Sequence, residues 1–262
     1  MIRTLTLLCL FTLICLSEAQ QRTPGGRPPV RKHTITESVE LKTIPTEETL
    51  LFEQIKKFKK SKNERKIEAN GIPEHKVGRF PSRHNPNEIR EQTHQFSLPI
   101  RPEPSTQPIP LHNETVRGPP NTPFGIALNG VLFDPGTAEF YMGDRHADWN
   151  YEALGGSVLL GLDENHGHVQ PNGSYHYHGL PIGLLKNLGV KAEEHSPLVG
   201  YAMDGYPIYA LYGYSNPKDP NSGIKKLKSS FRLKKGKRPS PPGGKYDGAF
   251  SKDYKYVEGL GD

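Results

Sequence analysis

The chain has 262 residues, a formal net charge of +6 and a sequence pI near 9.1. Only 34% of it is hydrophobic, and 27 glycines and 25 prolines punctuate it, a composition that suits a loop-rich domain of short strands with a tail. Its two cysteines, Cys9 and Cys15, both fall inside a leader-like segment. A chain that loses this leader carries no thiol, which excludes disulfides, thiolate-bound zinc, iron–sulfur clusters and cysteine catalysis.

Arg3 followed by the apolar run Leu5 to Leu16 and the small-residue site Ser17-Glu18-Ala19 reads as a secretory signal over 1–19, with the mature chain beginning near Gln20. The run is too short for a membrane span and no later segment approaches that length, so a secreted protein without a membrane anchor is expected. Residues 20–70 are expected to form a flexible extension holding one short helix. Thr46 suits its N-cap, Glu47 and Glu48 its first turn, and Lys56, Lys57, Lys59 and Lys60 its last. Leu51, Ile55 and Phe58 recur at helical spacing along it. Such a helix packs on the main domain or belongs to a pro-segment removed at its basic flank.

From Gly71 the texture changes to short runs broken by Pro, Gly and Asn, and residues 71–262 are assigned to one mainly β domain. Gln95–Ile100 alternates as a strand does. Phe124–Phe133 reads as a hairpin about Asn129-Gly130, the strongest short turn signal in the chain. Further strands are expected at Glu139–Met142 and Ser157–Leu162, a short helix within Leu180–Leu188, and a strand–turn–strand unit over Leu198–Tyr212 about Asp204-Gly205.

The densest chemistry lies at His166-Gly167-His168-Val169-Gln170-Pro171-Asn172-Gly173-Ser174-Tyr175-His176-Tyr177-His178. Two His-x-His pairs flank a turn signal, and in an extended strand each pair shares a face. A two-residue Asn172-Gly173 loop places the two pairs on opposite faces. A three-residue Pro171-Asn172-Gly173 loop, with Gly173 in the left-handed position, pairs His168 with His176 and His166 with His178 and gathers all four imidazoles. The second register is preferred because Pro171 fixes φ near the value a type I turn requires. His166, His168, His176 and His178 are therefore the candidate metal ligands, for zinc or copper(II). Tyr175 and Tyr177 point the other way. The competing reading is a packed face of alternating Tyr and His with no metal.

Other features carry weaker chemistry. Glu152, Asp163, Glu164 and Asp204 are candidate general bases for a metal-assisted hydrolysis. Asp144, His146, Asp148 and Asn150 alternate like a calcium loop but lack its glycine and final glutamate. Asn113 and Asn172 head glycosylation sequons. The basic residues Lys225, Lys226, Lys228, Arg232, Lys234, Lys235, Lys237 and Arg238 form either a solvated strand edge or a surface for acidic glycans and acidic matrix polymers; nucleic acid is not expected for a secreted chain.

Several motifs occur in one order: Asn129-Gly130-Val131, Phe133-Asp134-Pro135-Gly136-Thr137-Ala138, Trp149-Asn150-Tyr151-Glu152, Leu162-Asp163-Glu164-Asn165, Tyr175-His176-Tyr177-His178-Gly179, Gly200 to Tyr209, and Tyr246-Asp247-Gly248. Together they resemble the YHYH-domain proteins, a secreted family without an assigned activity, from Gly71 onward. Members of that family continue past the Gly-Asp seen here at Gly261-Asp262, so the resemblance implies a domain truncated at its C-terminus. The expected function is an extracellular binding or matrix protein whose histidine hairpin holds a transition metal, with a mineralised matrix as one setting; the alternative is a metal-dependent hydrolase or oxidase built on the same histidines.

Overall fold

The computed structural model describes residues 33–107, 123–147 and 149–262. The signal segment, residues 20–32, Asn113 and Asp148 lie outside the described residues. The protein is mainly β, and the strands are short because Gly and Pro recur between them.

The first strands are β1 (Thr46–Glu48), β2 (Lys56–Lys60), β3 (Glu64–Ala69), β4 (Val77–Gly78) and β5 (His94–Pro99). β2, β3 and β5 form an antiparallel sheet, and β1 pairs with β4. The helix expected over 46–60 is not formed. Phe58 lies opposite Ile67 in the β2–β3 ladder and packs on a core of Ile67, Leu98 and Ile126, whereas Leu51 is 100% exposed. Hairpin pairing with β3, and the core contacts it brings, override local helix propensity. The domain boundary expected at residue 71 also moves. His33 bridges Tyr141, Ile44 bridges Asp163, and Ser38 is tied through its amide to Asp247 and through its hydroxyl to the Gly155 carbonyl. Residues 33–69 are thus part of the folded domain.

The central sheet uses β6 (Gly125–Ala127), β7 (Leu132–Phe133), β8 (Gly167–Val169), β9 (Tyr175–Tyr177), β10 (Leu198–Ala202) and β11 (Pro207–Tyr209), in the order β11-β10-β6-β7-β9-β8. A short helix, α1 (Ile182–Asn187), follows β9 and buries Leu184 and Leu185. The two-stranded pairs β12 (Tyr212–Tyr214) with β13 (Ile224–Lys226), and β14 (Phe231–Leu233) with β15 (Tyr254–Tyr256), complete the strands.

Two hairpins of the central sheet turn in the same way. The Gly130 amide donates to the Ala127 carbonyl at 2.9 Å with φ +80 at Gly130, and the Gly173 amide donates to the Gln170 carbonyl at 2.8 Å with φ +90 at Gly173. Each is a three-residue loop ending on a glycine in a conformation that a side chain strains. The second loop gives the preferred register: His168 lies opposite His176, and the Gln170 amide donates to the Ser174 carbonyl at 2.9 Å.

Strands expected at 139–142 and 157–162 are replaced by single bridges and irregular chain. Phe140 bridges Asn150, and Gly161 at φ +67 breaks the second run just before Leu162 and Asp163 enter the core.

Candidate metal centre

β9 alternates two environments. Tyr175 and Tyr177 point into the core at 0% and 1% exposure. The Tyr175 hydroxyl donates to Asp163 Oδ2 at 2.8 Å. His75 Nδ1 faces the Lys76 carbonyl, which only accepts, so His75 Nε2 is left to accept from the Tyr177 hydroxyl at 2.5 Å; the same hydroxyl accepts from Asn129 Nδ2. With both phenols anchored on one side, the intervening His176 and the following His178 are held on the other.

There they meet His168 of β8. His176 Nε2 lies 3.0 Å from His178 Nε2, which lies 3.0 Å from His168 Nε2, and one nitrogen from each ring falls within 4.8 Å of the others. Three nitrogens around a tetrahedral zinc, with bonds of about 2.0–2.1 Å, stand roughly 3.3 Å apart. These residues can hold a metal ion.

The tautomers point the same way. His168 Nδ1 lies 2.8 Å from the Leu160 carbonyl and His176 Nδ1 lies 3.3 Å from the Ser174 carbonyl. A carbonyl accepts only, so both rings carry their proton on Nδ1 and turn an Nε2 lone pair toward His178. Two lone pairs then face one ring that has a single proton to offer, whereas a cation satisfies all three nitrogens. The carbonyls are also the outer partners that metal-bound imidazoles use. His178 Nδ1 is buried without a hydrogen-bond partner; the Pro135 carbonyl is near enough to favour its protonated ring but outside bonding geometry.

Burial keeps the rings neutral, the form that ligates. Desolvation lowers the His168 pKa; desolvation and then His168 lower that of His176 to about 3; desolvation followed by His176 and His168 holds His178 well below its usual value.

The fourth candidate ligand, His166, is not brought in. It sits at φ +54, so the strand alternation begins only at Gly167. Its backbone carbonyl still accepts from the His178 amide at 2.8 Å, but its ring turns to the Leu180 carbonyl at 2.8 Å. The sequence pattern assumed extended backbone at a position that is left-handed.

The triad opens on a cavity of about 450 Å³ that is also lined by Asp134, Glu139, Gln170, His33 and Arg145. Asp134 arrives from the neighbouring strand: β7 runs parallel to β9, with Leu132 opposite His176, and the Asp134 amide donates to the Tyr177 carbonyl. Burial raises the Asp134 carboxyl to about 6 against the opposing hydrogen bonds from Gln170 Nε2, at 3.1 Å, and the Gly136 amide. Glu139 Oε2 meets His33 Nε2 at 2.8 Å.

None of the four carboxylates singled out in the sequence lines this cavity. Asp163, 0% exposed, accepts from the amides of Gly78, Asn165 and Gly167 and is a structural hub. Glu164 caps Thr46, Glu152 meets Ser251, and Asp204 closes its turn on the Tyr206 amide. Asp134 belongs to the Phe133-Asp134-Pro135-Gly136-Thr137-Ala138 motif. The only sequence signal for it was an acid after an apolar strand, and its proximity to the histidines depends on the parallel β7–β9 pairing.

Asn172 is exposed at the hairpin tip, with its Oδ1 accepting from the Ser174 amide. Of the basic stretch, Lys226, Lys228, Arg232, Lys235 and Lys237 are exposed. Arg238 is instead buried, bound through Nε and Nη2 to both Asp253 oxygens and through Nη2 to Asp247. Among the described residues no helix is long and apolar enough to cross a membrane.

A family model described as YHYH protein matches residues 95–262, which include the triad and Asp134. No curated protein and no solved structure matches the chain.

Proposed function

The chain belongs to the YHYH protein family, and we propose that it is a secreted metal-dependent hydrolase whose centre is His168, His176 and His178. The observation that carries this reading is the convergence of three neutral imidazoles on the wall of a cavity that also holds Asp134. Three protein nitrogens with a face open to a cavity are the catalytic type of zinc site, whereas structural sites are closed by four protein ligands. Zinc bound there supplies an activated water at neutral pH. Asp134, steadied by Gln170 and poised near neutrality on the same cavity wall, would hold or pass a proton there. Leu160 and Ser174 fix the two outer imidazoles. Secretion rests on the leader-like sequence of residues 1–19.

Elemental analysis of the purified protein tests the centre, followed by ester hydrolysis before and after chelation. The expected result is one zinc per chain, its loss in His176→Ala/His178→Ala, and hydrolysis that chelation removes and zinc restores. Absence of zinc and copper, with no rise in melting temperature on adding either, overturns the metal site. Stoichiometric copper with oxygen-dependent turnover selects an oxidase in place of the hydrolase.

A second reading, an extracellular binding or matrix protein associated with acidic glycans or acidic polymers, draws support from the exposed lysines around β13 and β14 and from Phe231 and Tyr256, which are 59% and 61% exposed. Stoichiometric metal without turnover of any ester, together with retention on heparin, favours that reading.

A further inference from the structure

The chain around Asp134 and His176 is a partition between two cavities. Asp134, Gly136 and His176 line the metal-site cavity, whereas Phe133, Pro135 and Tyr177 line a second one behind it. Alternation along extended chain sends neighbours to opposite sides. His178 belongs to both walls.

The second cavity is about 360 Å³, within the range of small-molecule sites. Leu154, Leu185, Val199 and Ile208 supply much of its surface, and no Asp, Glu, Lys or Arg lines it. Its polar side chains offer little. The Tyr177 hydroxyl is engaged by Asn129 and His75, and His178 Nε2 faces the other histidines. Tyr209 and Leu180 stand at the rim, 50% and 39% exposed. Water inside finds few partners, and a charge there loses its hydration without compensation. An apolar body loses nothing and fills a space whose lining otherwise lacks contacts on one side.

We propose that this second cavity is a binding site for an uncharged small molecule with a hydrocarbon body, back to back with the metal centre. The site stands on its own lining and does not require the metal.

The test uses the full chain, with and without added zinc, and the straight-chain 1-alkanols from butanol to decanol as probes, followed by methyl and imidazole NMR. Saturable shifts are expected at Leu154, Val199, Ile208 and His178 in both preparations. Each added methylene tightens the dissociation constant about fourfold until the cavity is full. Octanoate and octylammonium bind more weakly than octanol. Val199→Phe, which fills the cavity, and Leu180→Trp, which narrows its mouth at an exposed position, both weaken octanol binding and leave zinc content unchanged. If Val199→Phe fails to fold, Leu180→Trp carries the comparison. Shifts that do not saturate, that spread to Leu51 and Phe231, that ignore chain length, or that are as strong for octanoate overturn the proposal. Failure of zinc to bind leaves the apolar site standing and strikes only the hydrolase reading.

Discussion

His168 and His178 face each other through Nε2 at 3.0 Å while His168 gives its other ring nitrogen to the Leu160 carbonyl. His168 stands on β8 and His178 directly follows β9, and the register of those two strands is set by the Pro171-Asn172-Gly173 turn, so local turn chemistry decides which nitrogens meet.

Single substitutions at His168, His176 and His178 are expected to weaken zinc binding by more than about a hundredfold, beyond what loss of an outer partner costs. His166→Ala is expected to leave it within about threefold, because that ring binds a carbonyl elsewhere. Competition with a zinc-binding dye measures all four, and equal loss at His166 contradicts the three-ligand centre.

Acid is expected to destabilise the metal-free protein well before most of its carboxylates are protonated. The folded pKa values of His75, His94, His168, His176 and His178 all lie below the ordinary 6.5, chiefly through burial. The unfolded chain therefore binds more protons than the native one below 6.5. Stability is fully present above that value and is lost as pH falls toward the folded values, by up to about 1.4 kcal/mol per pH unit for each ring. Asp134, raised to about 6, acts in the opposite sense: its contribution grows as pH falls from 6 toward its unfolded value. Five rings outweigh it, so the urea midpoint falls from pH 7.5 to 5.5. A flat profile would refute the assignment of neutral buried rings.

Gly173→Ala tests the turn. Its φ is +90, and an added methyl carbon meets the Arg90 side chain at 2.6 Å. A cost of about 1–2 kcal/mol is expected, with weakened zinc binding as the hairpin shifts. Gly189→Ala, at φ +68 with open space around it, carries the conformational cost without the clash. Equal melting temperatures for the two variants, with unaltered zinc affinity, would show that the turn does not set the site.

Asp253→Ala is expected to cost about 3–5 kcal/mol by leaving the Arg238 guanidinium buried with one of its two carboxylate partners gone. Chemical denaturation measures the loss. Because Arg238 Nη1 also donates to the Thr36 carbonyl, proteolysis near residue 36 is expected to quicken in the same variant. Unchanged cleavage there would mean that the clamp does not hold the N-terminal segment.

If the exposed cations bind an acidic polymer, Lys226→Glu/Arg232→Glu/Lys235→Glu elutes from heparin at lower salt than the unaltered protein. Identical elution removes this stretch from consideration.

The hairpin register was legible because Pro, Asn and Gly each restrict a turn dihedral, and the Tyr–His alternation was legible because a strand has period two. His166 was misplaced because nothing in an isolated His-Gly-His announces a left-handed first residue. Leu51–Lys60 fits helix and strand alike: Leu51, Ile55 and Phe58 satisfy a period of 3.6, and Lys57-Phe58-Lys59 satisfies a period of two. Only the pairing with β3 decides. Asp134 was out of reach for the same reason, since its place beside the triad comes from a parallel contact between segments more than forty residues apart.

Tyr177 is steadied by His75, Asp163 reaches the Gly78 amide, and the Val169 carbonyl accepts from both Asn85 and Asn87. All four of those partners precede residue 95, where the family match begins. The matched stretch is accordingly not a unit that can be cut out and moved. A fragment beginning at residue 95 keeps every histidine of the triad yet loses what braces them from behind, and grafting this centre into another scaffold has to carry residues 75–87 along with the hairpin.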